Sequence, residues 1–338
     1  AVRFGWNTLD LLPTLVAGRR AVLVTFPEAA QSGLRQRLTT LLGAQLSETI
    51  EDIEPNPEVG WFRERYAPFW RRNRDCVIVA VGGGSVIDTA KVLQVGVGGG
   101  DFDAYFAALR AGRQPQVAHA LPLIAVPTTA GTGSEVTPWA TLWDRSSEVP
   151  KKYSLHVAQT WPEAALVDPA LARSAPASVT RNSALDALSH ALESIWNVNH
   201  NPVSDALAVA AAKGVIATLP ALLDTPDAEE LRIAMSRSSL LAGLAFSNTR
   251  TALAHSVSYE MTLRYGLPHG LACSFTLPLV WQLAQGTDAA RDSVLAQVIG
   301  GRAEEGPAVL AAFLEGLGVG TRFADYDVPA IAARAMVA

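Results

Sequence analysis

The chain has 338 residues, of which 49% are hydrophobic and 17% are charged. These proportions are ordinary for a globular protein, and the length is sufficient for two domains. The formal net charge of −5 gives no overall attraction to nucleic acid or to an anionic membrane, so we expect neither as a partner.

Cysteine usage and the lack of a leader indicate the compartment. The two cysteines, Cys76 and Cys273, are far apart in apolar surroundings, which fits free thiols in a reducing compartment better than a disulfide. The N-terminal residues lack an apolar signal core, and no 18-residue apolar run free of Gly, Pro or charge occurs. We therefore predict a cytoplasmic protein that neither spans a membrane nor is exported.

The first half of the chain alternates short apolar runs with segments of helical spacing. Residues 20–26 and 46–53 are predicted as strands, and residues 32–42 as a helix. In residues 61–74, aromatic residues recur at helical spacing among arginines, which favours a helix with one packed face over a nucleic-acid surface. This alternation is typical of a mostly parallel α/β domain.

A glycine loop lies between a strand and a helix in the clearest unit of this half. Residues 76–81 predict a buried strand, Gly82, Gly83 and Gly84 a loop, and residues 85–93 a helix with Ser85 as N-cap. Such a unit can hold a phosphate on free backbone N–H groups at the helix N-terminus. A tight strand-to-helix turn without a ligand is the alternative. The later glycines of residues 96–100 lack a following helix pattern and are predicted as a loop.

A second polar loop follows the next predicted strand. Residues 121–126 are strand-like, and residues 127–137 are rich in small hydroxyl side chains. Their position directly after a buried strand favours a ligand-binding edge over an exposed loop.

The second half has helical spacing throughout and no convincing strand. Residues 179–197, 203–223, 228–245 and 293–317 are predicted as helices. We therefore predict an α/β domain over residues 1–168 and an all-helical domain over residues 169–338.

Four side chains in the helical half have the chemistry of metal ligands. Asp186 and His190 are one helical turn apart on the same face, and His255 and His269 follow. Together they supply the O and N donors that borderline divalent metals accept. For the helix pair taken alone, the alternative is an ordinary solvated face.

Six segments, in this order and spacing, resemble those of the iron-containing (group III) alcohol dehydrogenases. They are EPNP at 54–57, GGGSVID at 82–88, PTTAGTGSE at 127–135, Asp186 with His190, His255, and PHG at 268–270. The resemblance implies a Rossmann-like, mostly parallel dinucleotide-binding domain and a helical metal-binding domain, the dehydroquinate synthase-like fold. It also implies an NAD(P)-dependent dehydrogenase that assembles as a homodimer or larger homo-oligomer.

The resemblance also assigns residues. The family's metal ligands fall on Asp186, His190, His255 and His269. Its cofactor contacts fall on Asn56, Gly83, Gly84, Ser85, Asp88, Thr128, Thr129, Thr132 and Lys152, the last chosen over Lys151. The implied metal is Fe²⁺, with Zn²⁺ as the alternative. The cofactor is NADH or NADPH, because Phe26 stands where many NAD-preferring members carry an acidic residue.

Within the family, residues 194–202 and 245–259 are most similar to the phosphonoacetaldehyde reductase branch. This similarity implies reduction of a small, anionic aldehyde, phosphonoacetaldehyde to 2-hydroxyethylphosphonate. Arg250, five residues before His255, is then the best-placed candidate anchor for the substrate anion, and Arg181 and Arg264 are others. The alternative for Arg250 is a helix-end arginine tied to a carbonyl or a carboxylate. Tyr259 stands where many members have a proton-relay histidine, and it is the candidate relay here.

Three alternatives remain open at the level of sequence. The substrate could be an uncharged short-chain aldehyde or another anionic carbonyl compound. A dehydroquinate-synthase-like lyase also combines NAD with a metal, but it holds that metal with three protein ligands, so the pair of Asp186 and His190 favours the dehydrogenase. A non-enzymatic nucleotide-binding module would leave the four ligand types unexplained.

Overall fold

The computed structural model describes residues 1–337, which divide into two compact units. Unit 1 comprises Ala1–Thr129 and Ser134–Ser174. Unit 2 comprises Ala130–Gly133 and the residues from Ala175 onward.

Unit 1 is built on a six-stranded parallel sheet. The strands of the unit, in chain order, are β1 (Val2–Phe4), β2 (Ala21–Val24), β3 (Leu46–Ile50), β4 (Val77–Gly82), β5 (Val95–Val97), β6 (Val117–Ala120), β7 (Leu123–Pro127), β8 (Trp139–Asp144), β9 (Lys151–His156) and β10 (Ala164–Val167). The sheet has the order β1-β10-β7-β4-β2-β3, and every neighbouring pair is parallel. Strands β2, β4 and β7 are buried along their whole length, with separate apolar clusters on the two faces. The predicted α/β class is confirmed.

The remaining strands form two antiparallel pairs, β5 with β6 and β8 with β9. The helices of unit 1 are α1 (Leu12–Val16), α2 (Leu34–Leu42), α3 (Val59–Arg72), α4 (Gly84–Gln94) and α5 (Phe102–Arg110). Two sequence predictions are wrong here. Gly83, not Ser85, is the N-cap of α4. The glycines of residues 96–100 are followed by a helix, because the side chain of Asp101 caps α5 by accepting the N–H groups of Asp103 and Ala104.

Unit 2 is helical, as predicted. Its helices are α6 (Ala177–Trp196), α7 (Pro202–Asp224), α8 (Glu229–Thr249), α9 (Leu253–Tyr265), α10 (His269–Ser274), α11 (Leu277–Ala284), α12 (Ala289–Ile299), α13 (Gly306–Gly316) and α14 (Ala330–Val337). The single helix predicted over residues 293–317 is two helices. Gly300 ends α12 in the left-handed conformation that glycine adopts without strain.

Helix α7 is long and apolar enough, by composition, to span a membrane. Its best window has a mean hydropathy of 1.9 and is 39% buried within the unit. Helices α6 and α8 pack against it, and Ala208, Ala211 and Val215 contribute to the core of unit 2. Packing inside the helical unit therefore accounts for part of its apolar composition.

Candidate active site

Three imidazoles surround the carboxylate of Asp186. Its Oδ1 atom lies 3.8 Å, 3.4 Å and 3.9 Å from the Nε2 atoms of His190, His255 and His269. Asp186, His190 and His255 are buried, and the side chain of His269 is 28% exposed. The structure thus brings together all four ligand candidates of the sequence analysis.

Three helices present these side chains. Helix α6 carries Asp186 and His190, α9 carries His255, and α10 begins at His269. Helix α10 can lie this close to α6 because residue 270 is glycine: a Cβ there would be 1.8 Å from the carbonyl oxygen of Asn182. The sequence motif that combines His269 with Gly270 therefore has a packing reason as well as a chemical one.

Glu193 holds His255 in place. Its Oε2 atom lies 2.5 Å from Nδ1 of His255, and its Oε1 atom accepts the backbone N–H groups of Ala254 and His255. The Nδ1 proton therefore faces Glu193, and Nε2 is directed at Asp186. The sequence analysis missed Glu193, although its position seven residues after Asp186 places it on the same face of α6.

The pKa values of the two buried histidines move in opposite directions. Burial lowers the pKa of His190 to about 4, against the opposing effect of Asp186. Burial would also lower the pKa of His255, but the carboxylates of Glu193 and Asp186 raise it to about 10. For Asp186, burial is outweighed by the imidazoles, of which His190 acts most strongly, and its pKa lies far below the ordinary value. The carboxylates of Glu193 and Asp186 thus favour positive charge at His255, which either a second ring proton or a bound metal ion would supply.

Cys273 also reaches this cluster. Its thiol donates to Oδ1 of Asp186 at 3.3 Å, and burial holds its pKa well above the ordinary value. A tight group, whose donor atoms all lie within 4.8 Å of one another, consists of Asp186, His255, His269 and Cys273. His190 is close to Asp186 but not part of that group. The sequence analysis treated Cys273 only as a core residue, although its position four residues after His269 could have revealed it.

The donors present fit a divalent metal ion. Nε2 of His255 and Nδ1 of His190 are buried and have no hydrogen-bond partner among residues 1–337. A buried imidazole nitrogen without a partner is costly unless a ligand satisfies it. Imidazoles with one carboxylate are donors that Fe²⁺ and Zn²⁺ accept.

The N-terminus of α4 is the candidate phosphate site. Gly83, its N-cap, makes no side-chain capping hydrogen bond. A Cβ on Gly82 would lie 2.5 Å from Cγ2 of Val86, so the strand can pass this close to the helix only as glycine. A glycine N-cap places no side chain at the helix N-terminus, where a phosphate is the ligand that the glycine loop predicts.

Three of the predicted cofactor residues, Asn56, Ser85 and Asp88, make hydrogen bonds around this loop. Ser85 accepts the backbone N–H of Asn56, which has a positive φ of 63°. The carboxylate of Asp88 accepts the hydroxyl of Ser134 at 2.7 Å and the N–H of Thr141 at 2.9 Å. The protein itself thus uses Asp88 to join α4 to the segment after β7.

Lys91 also holds the segment after β7, through hydrogen bonds from a buried position. Its side chain is fully buried, and Nζ donates to the carbonyl and hydroxyl oxygens of Ser134 and to the carbonyls of Thr137 and Trp139. Burial lowers the pKa of Lys91 to about 8, although the nearby carboxylate of Asp88 opposes this shift. Sequence reasoning gave Lys91 no role, because a buried lysine at the end of a helix has no recognisable pattern.

The remaining cofactor candidates lie in different places. Thr128 and Thr129 follow β7, and the side chain of Thr129 is 3.5 Å from where a Cβ on Gly83 would be. Thr132 belongs to the short segment assigned to unit 2. Lys152 is on β9, where its Nζ lies 5.8 Å from the ring centroid of Trp143 and its charge acts on Asp88.

Arg250 lies between α8 and α9. Its side chain is exposed, and it makes no hydrogen bond or ion pair within residues 1–337. Its backbone has φ 82° and ψ 177°, a region that essentially only glycine occupies. Tyr259 is half-buried on α9, one turn after His255.

Comparison with known proteins agrees with this fold. The profile described as iron-containing alcohol dehydrogenase matches residues 1–169, and that of the C-terminal part of the Fe-containing family matches residues 180–338. The two profiles together span nearly the whole chain, and they define it as a dehydrogenase. The chain belongs to the iron-containing alcohol dehydrogenase family and is an oxidoreductase.

Individual relatives support the same family. Long-chain-alcohol dehydrogenase 1 of Geobacillus thermodenitrificans is 34% identical over 82% of this chain and 70% of its own length. The 1,3-propanediol dehydrogenase of Klebsiella pneumoniae is 33% identical over 82% of this chain and 72% of its own. Among solved structures, the sulfoacetaldehyde reductase of Bifidobacterium kashiwanohense, in complex with NAD⁺, superposes with a TM-score of 0.89 at 30% identity, covering 99% of this chain and 89% of that one.

Proposed function

We propose that this protein is a metal-dependent, NAD(P)H-linked reductase of small anionic aldehydes such as phosphonoacetaldehyde or sulfoacetaldehyde. The observation that carries the proposal is an exposed guanidinium without a partner among residues 1–337, that of Arg250, five residues before a candidate metal ligand, His255. The sulfoacetaldehyde reductase that resembles this chain acts on an aldehyde of this kind, according to its name.

Asp186, His190, His255 and His269 are the proposed ligands of the metal, Fe²⁺ or Zn²⁺. When bound, the metal supplies Lewis-acid polarisation of the aldehyde carbonyl. Glu193 fixes the tautomer of His255, so that Nε2 offers its lone pair to the site. Tyr259, one turn after His255, is the proposed relay that delivers a proton to the reduced oxygen.

Unit 1 is proposed to bind the dinucleotide. The open N-terminus of α4 receives the pyrophosphate on backbone N–H groups at Gly83, Gly84 and Ser85. Asn56, Asp88, Thr128, Thr129, Thr132 and Lys152 complete the proposed cofactor set. The dihydronicotinamide, when bound, would supply the hydride for the aldehyde carbon, and Tyr259 would supply the proton that completes the alcohol.

Arg250 is proposed to bind the anionic end of the substrate. A guanidinium forms paired hydrogen bonds with the oxygens of a tetrahedral phosphonate or sulfonate. An uncharged aldehyde cannot use this contact, so the guanidinium favours the anionic substrate specifically.

The deciding experiment measures NADH and NADPH oxidation by the Fe²⁺-loaded protein with phosphonoacetaldehyde, sulfoacetaldehyde and propanal. We expect kcat/KM for one of the two anions to exceed that for propanal at least about a hundredfold, a difference of roughly 2.7 kcal/mol. We expect Arg250→Ala to remove most of this advantage. Equal or better turnover of propanal would contradict the anionic substrate and leave the family membership unaffected.

A further inference from the structure

One face of α6, together with the C-cap residue that follows it, carries four polar side chains that are spaced about one helical turn apart. Asp186 and His190 belong to the donor cluster, Glu193 holds His255, and Asn197 follows directly after the helix ends at Trp196. Asn197 has no role in the site so far, although its side chain is buried.

The amide of Asn197 binds the loop that carries Arg250. Its Nδ2 atom donates to the carbonyl oxygens of Arg250 and Thr251, at 3.3 Å and 3.2 Å. Its Oδ1 atom accepts the N–H of Asn199 at 2.9 Å. All the hydrogen-bonding groups of the Asn197 amide are therefore engaged, and two of the three bonds fix residues 250 and 251.

The loop needs such a restraint because the backbone at Arg250 is strained. The φ of 82° and ψ of 177° are unfavourable for any residue with a Cβ and persist only where surrounding contacts enforce them. Additional contacts come from the Arg250 N–H, which donates to the carbonyl of Phe246, and from the hydroxyl of Thr249, which donates to the carbonyl of Arg250. Without the donor of Asn197, the carbonyls of Arg250 and Thr251 would lose their hydrogen bonds to the C-cap residue of α6.

We propose that Asn197 is a positioning residue for substrate specificity: it holds Arg250 in its strained backbone conformation and so fixes the direction from which the guanidinium meets an anionic substrate. This inference rests on the proposed function of Arg250. It adds that the strain is maintained by the same helix that carries two of the candidate metal ligands. With the backbone held, the Arg250 side chain leaves the loop from a fixed point, and less backbone freedom is lost when the anion binds.

The test is a double-mutant cycle on Asn197 and Arg250, with kcat and KM measured for phosphonoacetaldehyde, sulfoacetaldehyde and propanal. We expect Asn197→Ala to lower the ratio of anionic to uncharged kcat/KM at least tenfold, mainly through KM of the anion. In the Arg250→Ala background, Asn197→Ala should change that ratio less than twofold, because no guanidinium remains to be positioned. Asn197→Asp keeps the shape, loses the donor and adds a negative charge beside two carbonyls, so it should lower the ratio at least as much as Asn197→Ala.

A matched control is Asn201→Ala. Asn201 lies in the same loop as Asn197, between α6 and α7. Its side chain accepts two hydrogen bonds, from the N–H groups of Val203 and Ser204, and neither bond involves Arg250. This variant should lower the melting temperature without changing the substrate ratio. Equal loss for both substrate classes in Asn197→Ala, or additive effects in the cycle, would overturn the positioning role alone. If Arg250→Ala leaves the ratio unchanged, the anchor itself is wrong, and the positioning role falls with it.

Discussion

The carboxylate of Glu193 and the imidazole of His255 lie 2.5 Å apart, and both side chains are fully enclosed by the protein. The pair orients a candidate metal ligand without any help from solvent. Because Glu193 also accepts the first N–H groups of α9, it fixes both the ring of His255 and the start of its helix. A buried carboxylate with three hydrogen bonds is a strong determinant of local geometry.

Glu193→Gln should weaken metal binding by about 10- to 100-fold. The glutamine amide can still accept backbone N–H groups, but its NH₂ would face Nδ1 of His255. The ring proton then moves to Nε2, the nitrogen that should face the metal. The measurement is Fe²⁺ and Zn²⁺ affinity by chelator competition, together with metal content after dialysis.

The control for this change is Glu260→Gln. Glu260 lies on the same helix as His255, and its carboxylate pairs with Arg264 at 2.9 Å. The Glu260→Gln variant should bind Fe²⁺ and Zn²⁺ as tightly as the unchanged protein. Unaltered metal affinity in Glu193→Gln, with a folded protein, would show that His255 does not depend on this partner.

Two donor sets compete for the metal, and a pair of variants separates them. If the ligands are Asp186 and the three histidines, Cys273→Ala should retain about one metal per chain, whereas His190→Ala should lose most of it. If the thiol of Cys273 binds the metal in place of His190, Cys273→Ala should lose most of the metal and His190→Ala should retain about one metal per chain. We expect the first outcome, because Asp186 and the three histidines stand at the family's ligand positions, whereas the thiol of Cys273 donates a hydrogen bond to Asp186. Elemental analysis of the purified variants decides.

Helical periodicity in the sequence predicts only the part of this site that lies on one helix. Asp186 and His190 are recognisable because one helical turn separates them, and the helices around them have regular apolar spacing. Bringing His255 and His269 to the same carboxylate is a tertiary effect, and the sequence indicated it only through family resemblance. Cys273 lay outside the prediction because a thiol among apolar residues has the pattern of a core residue.

The errors in the predicted fold also have physical causes. The predicted helix over residues 293–317 kept its apolar spacing across Gly300, where the chain turns left-handed and ends α12. Helix α5 was missed because it is short and depends on the cap of Asp101. The strain at Arg250 has no sequence signal, since its residue type disfavours the conformation that the fold imposes.

Arg250→Gly should give a more stable protein than Arg250→Ala, by about 1 kcal/mol or more. Glycine usually destabilises relative to alanine because it is more flexible in the unfolded chain, but here only glycine adopts the native backbone without strain. Both variants lack the guanidinium, so any difference in their unfolding free energy reports the backbone. Chemical denaturation measures it. A more stable alanine variant would contradict the strain at residue 250. Both variants should lose kcat/KM for anionic aldehydes to the same extent.

Glu135 gives the stability of unit 1 a dependence on pH. The side chain is buried, and burial raises its pKa to about 7, against the opposing effect of Lys91. Between the ordinary value of 4.5 and about 7, the folded state therefore binds the proton more tightly than the unfolded state. It follows that the contribution of this group to stability is fully present below pH 4.5 and is lost as the pH rises toward 7.

Glu135→Gln removes this titration while keeping the shape of the side chain. The unfolding free energy of the variant, relative to the unchanged protein, should therefore rise between pH 5 and pH 7 and stay level above about pH 7.5. Denaturant unfolding at half-unit steps of pH measures the difference, and the exposed Glu28→Gln should show no such slope. A difference for Glu135→Gln that is flat across this range would mean that Glu135 is already ionised at pH 5. Lys91, whose charge lies next to it, would then stabilise the carboxylate more than burial disfavours it.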